Sequence, residues 1–525
     1  MTQHVTTGQP SSEERSVRGR LGAAGKLLRD SKTDVPDGFA ALLFGRAAPE
    51  DVVRYDAAEL AALAHEAWTF FSTRKSGAVK IRFDTPDASV GDHLKTISVI
   101  EIVNDDMPFL VDSVMAELTD RGLDIRLVAH PIIAAERDKA GKLKNQPSEA
   151  KRRDGEPRES FIHIHVERVE DAVRRADTVK ALEEVLRQVR AAVTDWKPML
   201  KRADEVIKEL KASPPPVPVD DIAEAIQFLE WIAAENFTFL GVSDDTFTGK
   251  TRTDKTRELA PVKDSALGLL RTADVPIFTR GGKAVDATPQ LRAFFDEPKT
   301  LIVLKANVRS RVHRRVYLDY IGVKRFDAEG NAIGEFRIVG LFTSTAYTRS
   351  VRTIPYLRRK VDAVLRRAGF DPESHSGKAL VNVLESYPRD ELFQIDEDTL
   401  YEFALTILQL EERPRVRVLA RRDPFDRFVS VLVFAPRDRY DSQVRARIGA
   451  YLAGVYQGRV SIFYPSFPEG GLARVHFIIG RDGGEIPNPD RETLERAVGA
   501  IVRTWSDTLG AALAEAHAPG RAQTL

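Results

Sequence analysis

The clearest pattern of apolar and polar positions in this chain predicts a small α+β module between about residues 94 and 195. A β-branched, apolar run of strand length comes first, and a stretch with apolar residues at helical spacing follows it. Two more strand-like runs and a second amphipathic helix complete the unit. The segments are Thr96 to Val103, Leu110 to Leu118, Ile125 to Ala134, Phe161 to Val166 and Val173 to Val189. This order is typical of a ferredoxin-like fold.

Two further modules are predicted downstream. A helix from Asp220 to Glu235 and several strands introduce the second. The third begins near Arg415 and has the order ββαββα, a circular relative of the first. We therefore predict an α+β protein built from several ferredoxin-like sandwiches of antiparallel sheet and helices, joined by helical segments.

The predicted domain boundaries follow the changes in composition along the chain. The proline run Ser213 to Pro218 is the clearest linker, because proline-rich segments form stiff spacers. The predicted parts are a loose segment over 1–35, a helical section over 36–93, a first module over 94–212, a linker over 213–219, a second module with helices over 220–412, and a third module with a C-terminal helix over 413–525.

Composition narrows the function classes. The 525 residues include 78 basic and 78 acidic side chains, so net charge indicates neither nucleic acid nor an anionic membrane as a partner. Cysteine is absent, which excludes disulfides, a cysteine nucleophile and thiolate metal sites. No apolar stretch approaches the roughly 20 residues that span a bilayer, and no signal peptide is evident. We expect a cytoplasmic protein.

Motifs for nucleotide or hydrolytic chemistry are missing from the sequence. It contains no G-x-G, no phosphate-binding P-loop and no G-x-S-x-G. His163 and His165 alternate on a predicted strand and share one face, but no third ligand has matching spacing. We therefore predict a solvated or interface-facing sheet there, with neither a metal site nor catalytic residues.

The best ligand candidate is the turn between the first strand and the first helix of the first module. Its residues are Asn104, Asp105, Asp106, Pro108 and Phe109. The free N–H groups at a helix N-terminus suit a carboxylate ligand. In the alternative interpretation, the Asp and Asn side chains only cap the helix, and the proline only occupies its first turn.

Several long phrases of the sequence resemble the amino-terminal part of the large bacterial NAD-specific glutamate dehydrogenases. The matching phrases are Glu101 to Ser113, Ala129 to Ile132, Ser160 to His165, Trp231 to Ala233, Asn236 to Gly241 and Arg421 to Phe428. The resemblance extends from about residue 37 to the end. It implies that the ferredoxin-like modules are of the ACT type, which commonly bind amino acids near the turn described above.

The resemblance also implies that regulation and catalysis belong to different parts of the enzyme. In this family, glutamate is converted to 2-oxoglutarate and ammonia in a dehydrogenase domain further along. This chain is therefore expected to be a regulatory and assembly region that binds no cofactor itself, with NAD confined to the missing catalytic domain. The implied partners are further copies of the chain, an amino-acid effector and that catalytic domain, with neither nucleic acid nor membrane among them.

Two alternatives stay open. The chain could be a free-standing amino-acid sensor of the ACT type that controls another partner. Alternatively, the arginine-rich segments Arg309 to Arg315 and Arg349 to Arg367 could bind RNA or DNA, with an affinity that falls steeply with salt. Zero net charge and few interleaved aromatic residues count against nucleic-acid binding.

Overall fold

The protein divides into two compact units. The computed structural model describes residues 12–87, 89–150, 157–248, 258–272, 279–280, 283–284, 299–327, 329–424, 426–481, 484 and 487–516. The first unit comprises residues up to Thr194 together with Ser310–Val316, and the second comprises Asp195–Arg309 and Tyr317–Leu525. Helices and antiparallel sheets occur in both, which confirms the predicted α+β class.

The first unit combines four N-terminal helices with a six-stranded sheet and two more helices. Its helices are α1 (Ser12–Asp30), α2 (Phe39–Phe44), α3 (Pro49–Val52), α4 (Ala57–Phe71), α5 (Leu110–Asp120) and α6 (Ala172–Thr194). Its strands are β1 (Lys80–Asp84), β2 (Ile97–Asp105), β3 (Ile125–Ala129), β4 (Ile132–Ala134), β5 (Ser148–Glu149) and β6 (Arg158–Glu167).

The N-terminal region is more ordered than the sequence analysis predicts. Part of the predicted loose segment, residues 1–11, lies outside the described residues, but α1 occupies most of the remainder. Four apolar side chains at helical spacing bury one face of α1 in the core that α2 and α4 share. They are Val17, Leu21, Ala24 and Leu28. The prediction was wrong here because the charged residues between them mask a regular apolar stripe.

The sheet of the first unit has the strand order β1-β2-β6-β4-β5, and β3 also pairs with β6. β1 lies within the section predicted as helical and occupies the edge beside β2. It was missed because it is only five residues long, although its alternation of charged and apolar residues is a strand signal. Along the chain, β1 and β2 come first, α5 follows them, and β3 to β6 precede α6.

The second unit is larger. Its helices are α7 (Trp196–Ala212), α8 (Val219–Trp231), α9 (Ser344–Thr348), α10 (Leu357–Ala368), α11 (His375–Ser386), α12 (Arg389–Gln394), α13 (Glu397–Glu412), α14 (Ser442–Val455), α15 (Arg491–Val502) and α16 (Trp505–Ala516). Its strands are β7 (Phe237–Thr248), β8 (Glu258–Pro261), β9 (Leu267–Gly268), β10 (Thr279–Arg280), β11 (Lys283–Ala284), β12 (Leu301–Arg309), β13 (Tyr317–Phe326), β14 (Ala332–Phe342), β15 (Arg417–Arg422), β16 (Phe428–Pro436), β17 (Gly458–Ser466) and β18 (Leu472–Arg481).

The middle sheet departs from the ferredoxin-like order predicted for the second module. Its strand order is β12-β13-β14-β7-β8, with β9 beside β7. β12, β13 and β14 follow one another along the chain as antiparallel neighbours, so these three strands form a meander. The predicted linker Ser213 to Pro218 joins α7 to α8, which pack together within this unit. The proline run is therefore a turn inside one unit.

The C-terminal module has the four-stranded order β15-β16-β18-β17. One face of this sheet packs against α14 and α15 through Val431, Phe477, Ile448 and Val498. The other face joins the core of the middle helices, through residues such as Leu432. β15 occupies the edge beside β16 as β1 does beside β2, so the ACT-like modules of the two units share one topology.

Candidate functional site

The predicted ligand loop lies in the first unit, where β2 ends and α5 begins. Asn104 is buried, and its side-chain oxygen accepts a hydrogen bond from Arg190. Asp105 accepts hydrogen bonds from Arg74 Nη2 at 2.7 Å and from Arg190 Nη1 at 2.8 Å. Burial raises the pKa of Asp105, but these two arginines outweigh it and hold the pKa below its usual value. Two of the five predicted residues thus bind neighbouring elements together.

The capping interpretation of this loop is wrong. The residue before α5 is Phe109, which has a φ of +71° and makes no side-chain cap. Pro108 precedes that residue and is outside the first helical turn. Asp106 lies 3.4 Å from Arg158 Nη2 rather than at the helix end. The turn is left-handed at Phe109, whose ring contacts the ring of His313 within the same unit at 4.9 Å. Amino-acid binding by this loop stays a prediction.

His163 and His165 lie on a buried face, so the solvated alternative of the predicted solvated or interface-facing sheet is wrong. Both side chains are at most 1% exposed, and Phe44 of α2 contacts both rings. Cross-strand pairing puts Glu101 opposite His163 and Arg82 opposite Glu101. The N-terminal helices cover this face, which a single strand's alternation does not reveal.

Tyr55, His165, His163, Glu101 and Arg82 form a continuous row of polar contacts across this face, called the polar chain below. Tyr55 Oη lies 2.8 Å from His165 Nδ1, the two Nε2 atoms are 2.9 Å apart, and His163 Nδ1 lies 3.1 Å from Glu101 Oε1. All three contacts are satisfied when the tyrosine hydroxyl donates to His165, His165 donates to His163, and His163 donates to the carboxylate. Arg82 Nε then donates to Glu101 at 2.7 Å.

Three groups along this row of contacts have shifted pKa values. Burial and the neighbouring His163 lower the pKa of His165 well below its usual value. Burial and the Glu59 carboxylate raise the pKa of Tyr55 to about 12. For Glu101, burial raises the pKa, but His163 and Arg82 outweigh it and lower the result. Tyr55 and His165 are therefore neutral and Glu101 is ionised at neutral pH.

We expect the stability of the first unit to fall as pH drops below about 6.5. An unfolded histidine binds a proton near that pH, whereas folded His165 does not, so acid favours the unfolded chain. The loss approaches about 1.4 kcal/mol per pH unit. Urea unfolding across this range checks it, with His165→Gln reducing the slope and the exposed His375→Gln keeping it. Equal slopes in all three proteins would contradict the prediction.

In the second unit, a charge cluster connects the middle sheet with α9 and α12. Lys305 Nζ lies 2.9 Å from Asp319 Oδ1 and 3.2 Å from Asp390 Oδ1, and Tyr347 donates to Asp390 at 2.8 Å. Burial raises the pKa of Asp319 to about 6 against the opposing charge of Lys305. Burial lowers the pKa of Lys305, but the two aspartates more than reverse it. Lys305 is therefore held as a cation.

Two buried arginine–carboxylate pairs lie beside this cluster. Arg427 donates to Asp423 at 2.7 and 2.8 Å, and both side chains are fully buried. Arg421 of β15 forms a two-point contact with Glu391 of α12. Sequence analysis missed these partners because Lys305, Glu391 and Arg421 are far apart in sequence. The pairing of Asp423 with Arg427, four residues apart, is the local exception.

Arginines of the predicted nucleic-acid segments contact carboxylates. Arg315 binds Glu117 and Asp120 in the first unit. In the second unit, Arg358 binds Glu224 at 2.6 Å. Such pairing offsets the positive charge that a phosphate backbone needs. Among the described residues, no group of three or more His, Asp and Glu side chains is placed to hold a metal ion. No described helix is long and apolar enough to cross a membrane.

Comparison with known proteins identifies the modules. Three family models match in order: the glutamate dehydrogenase ACT1 domain over residues 39–182, helical motif 1 over 354–413 and the ACT2 domain over 417–506. The chain belongs to the glutamate dehydrogenase family. The ACT1 match includes the sheet that contains His163 and His165, and the loop from Asn104 to Phe109. The ACT2 match corresponds to the C-terminal module, whose order is ββαββα. The helical motif extends over α10 to α13.

Relatives that match most of the chain have the same family name. The NAD-specific glutamate dehydrogenase of Halomonas elongata is 37% identical over 486 residues, 92% of this chain and 30% of the relative. That of Pseudomonas aeruginosa is 34% identical over 91% of this chain and 29% of its own length. That of Mycobacterium tuberculosis is 26% identical over 81% of this chain and 26% of its own. The chain thus spans about 30% of the length of its relatives, and the resemblance predicted from sequence is confirmed.

Proposed function

We propose that this chain is the regulatory and assembly region of an NAD-specific glutamate dehydrogenase and is not catalytic alone. The reaction concerned is the oxidative conversion of glutamate to 2-oxoglutarate and ammonia, with NAD bound by another part of the enzyme. The observation that carries the proposal is the pair of ACT modules with one shared topology. The partners in this proposal are the catalytic domain, further copies of the chain and an amino-acid effector.

Within this proposal, the loop from Asn104 to Phe109 is the predicted contact for the effector. Because Asn104 and Asp105 are bound by arginines and Asp106 is paired with Arg158, the contact would fall mainly to Pro108 and Phe109. Pro108 is exposed at the turn. An amino-acid carboxylate could reach the N-terminus of α5 there.

We expect the purified chain to produce no NADH from glutamate and NAD, because nothing in its sequence has the pattern of a dinucleotide-binding loop. Absorbance at the NADH band measures this, with a complete NAD-specific glutamate dehydrogenase as the positive control. Sedimentation velocity on the same sample should show dimers or larger assemblies. NADH formation that scales with chain concentration would contradict the regulatory role, and a strictly monomeric chain would contradict the assembly role.

A further inference from the structure

Arg389, the first residue of α12, is a buried cation without an ion-pair partner among the described residues. It is 9% exposed, and its Nη2 atom donates to the backbone oxygen of Arg349 at 3.1 Å. Its Nε and Nη1 atoms are buried and have no acceptor in the part of the chain that the structure describes. The other buried arginines of the described ranges each pair with a carboxylate: Arg74, Arg417, Arg421, Arg427 and Arg481. Because an unpaired buried charge destabilises the folded state, the stability of this unit does not explain Arg389.

The loop that Arg389 contacts, residues 349–353, is held in place by a carboxylate. Glu385 of α11 accepts one hydrogen bond from the Ser350 hydroxyl and another from Val351 N, the latter at 3.1 Å. Each oxygen of the Glu385 carboxylate therefore has a donor from the loop. The carboxylate binds the loop and forms no ion pair with Arg389, although it is the acidic side chain that lies nearest along this part of the chain.

Two exposed arginines belong to the same loop. Arg349 and Arg352 lie on either side of the two residues that Glu385 holds, and neither has an ion pair among the described residues. Arg389 reaches the backbone of this loop from below. Three cations therefore meet one carboxylate here, and this excess of positive charge favours an anionic ligand.

We propose that loop 349–353 binds a small oxyanion, a phosphate or a dicarboxylate, through the side chains of Arg349 and Arg352. An arginine donates two parallel hydrogen bonds to such a group. Arg389 does not touch the ligand in this proposal. Its buried guanidinium lies beneath the loop backbone, where its charge is screened less than it would be in water. As an effector site the loop rests on the regulatory role proposed above, but binding itself does not.

Isothermal titration calorimetry on the full chain tests the proposal, with inorganic phosphate and succinate as separate probes at constant ionic strength. We expect saturable binding of at least one, and the probe that binds distinguishes the two ligand classes. The double variant Arg349→Gln with Arg352→Gln should weaken binding by about tenfold, because it removes the charge-assisted hydrogen bonds. Arg366→Gln with Arg413→Gln is the matched control, since both arginines are exposed in the same unit and have no ion pair among the described residues. It should bind like the wild type.

Arg389→Met separates a role in binding from a role in stability. Because methionine removes an unpaired charge, this variant should lose less stability in urea than Arg427→Met, which leaves Asp423 buried without its partner. It should also bind the probe about threefold more weakly than the wild type, since a nearby positive charge is lost.

Three results would overturn the proposal. They are no saturable binding of either probe, an equal loss of binding in the control pair, and a loss of stability in Arg389→Met as large as that in Arg427→Met. A chain that bound neither probe and also formed no NADH would overturn this site while leaving the proposed function in place.

Discussion

Replacing Arg427 with methionine is expected to lower the free energy of unfolding of the second unit by about 3–5 kcal/mol, the cost of breaking a buried ion pair. The side chains of Arg427 and Asp423 are both fully buried and form a two-point contact. Arg427 Nη1 also donates to the backbone oxygen of Lys305 at 2.8 Å, which joins the ACT2 module to the middle sheet. Methionine would leave the Asp423 carboxylate buried beside an apolar side chain.

Urea unfolding of the wild type and variants measures this loss. Arg447→Met, at an exposed helical position, is the matched control and should change stability by no more than about 0.5 kcal/mol. The double variant Asp423→Asn with Arg427→Met should be more stable than Arg427→Met alone, because no buried charge is left unpaired. If the single and double variants were equally unstable, an unpaired Asp423 charge would not be the cause.

Replacing Glu101 with leucine is expected to destabilise the first unit by about 3 kcal/mol. Glu101 is 2% exposed and accepts from both Arg82 and His163. Its loss leaves the His163 N–H without its acceptor under the N-terminal helices. The side chain of Arg82 is 28% exposed and can recover part of its hydration, so we place this loss at the lower end of the range for buried pairs.

The same unfolding measurement checks this second prediction. Glu183→Leu is the control, since Glu183 is exposed on α6 of the same unit. Glu101→Gln retains a side-chain oxygen that can accept from His163, so it should cost less than Glu101→Leu. A Glu101→Leu variant as stable as Glu183→Leu would show that the polar chain contributes nothing to holding the helices on the sheet.

The ferredoxin-like modules were predictable because their strands and helices have strong periodic patterns. In the first module, Ile100 and Ile102 of β2 pair with Ile164 and Ile162 of β6, as expected for buried, β-branched strands. The edge strand β1 was missed because its strand-like alternation of charged and apolar residues extends over only five residues. β1 becomes part of the sheet by pairing with β2, and a pattern within five residues does not reveal that partner.

The candidate sites were less predictable than the fold. The loop Asn104 to Phe109 was found because a polar turn between strand and helix is a local feature. Its arginine partners, Arg74 and Arg190, lie 31 and 85 residues from Asp105.

The sequence by itself determined the α+β class, the family and the ACT-type modules, because periodicity and contiguous phrases are properties of local segments. Only the tertiary structure decided which polar residues are buried. His163 and His165 could face solvent by alternation alone, and the helices that cover them come from the N-terminal region. Burial changes the energy of a polar group by removing water, and the packing of distant segments decides where water is removed.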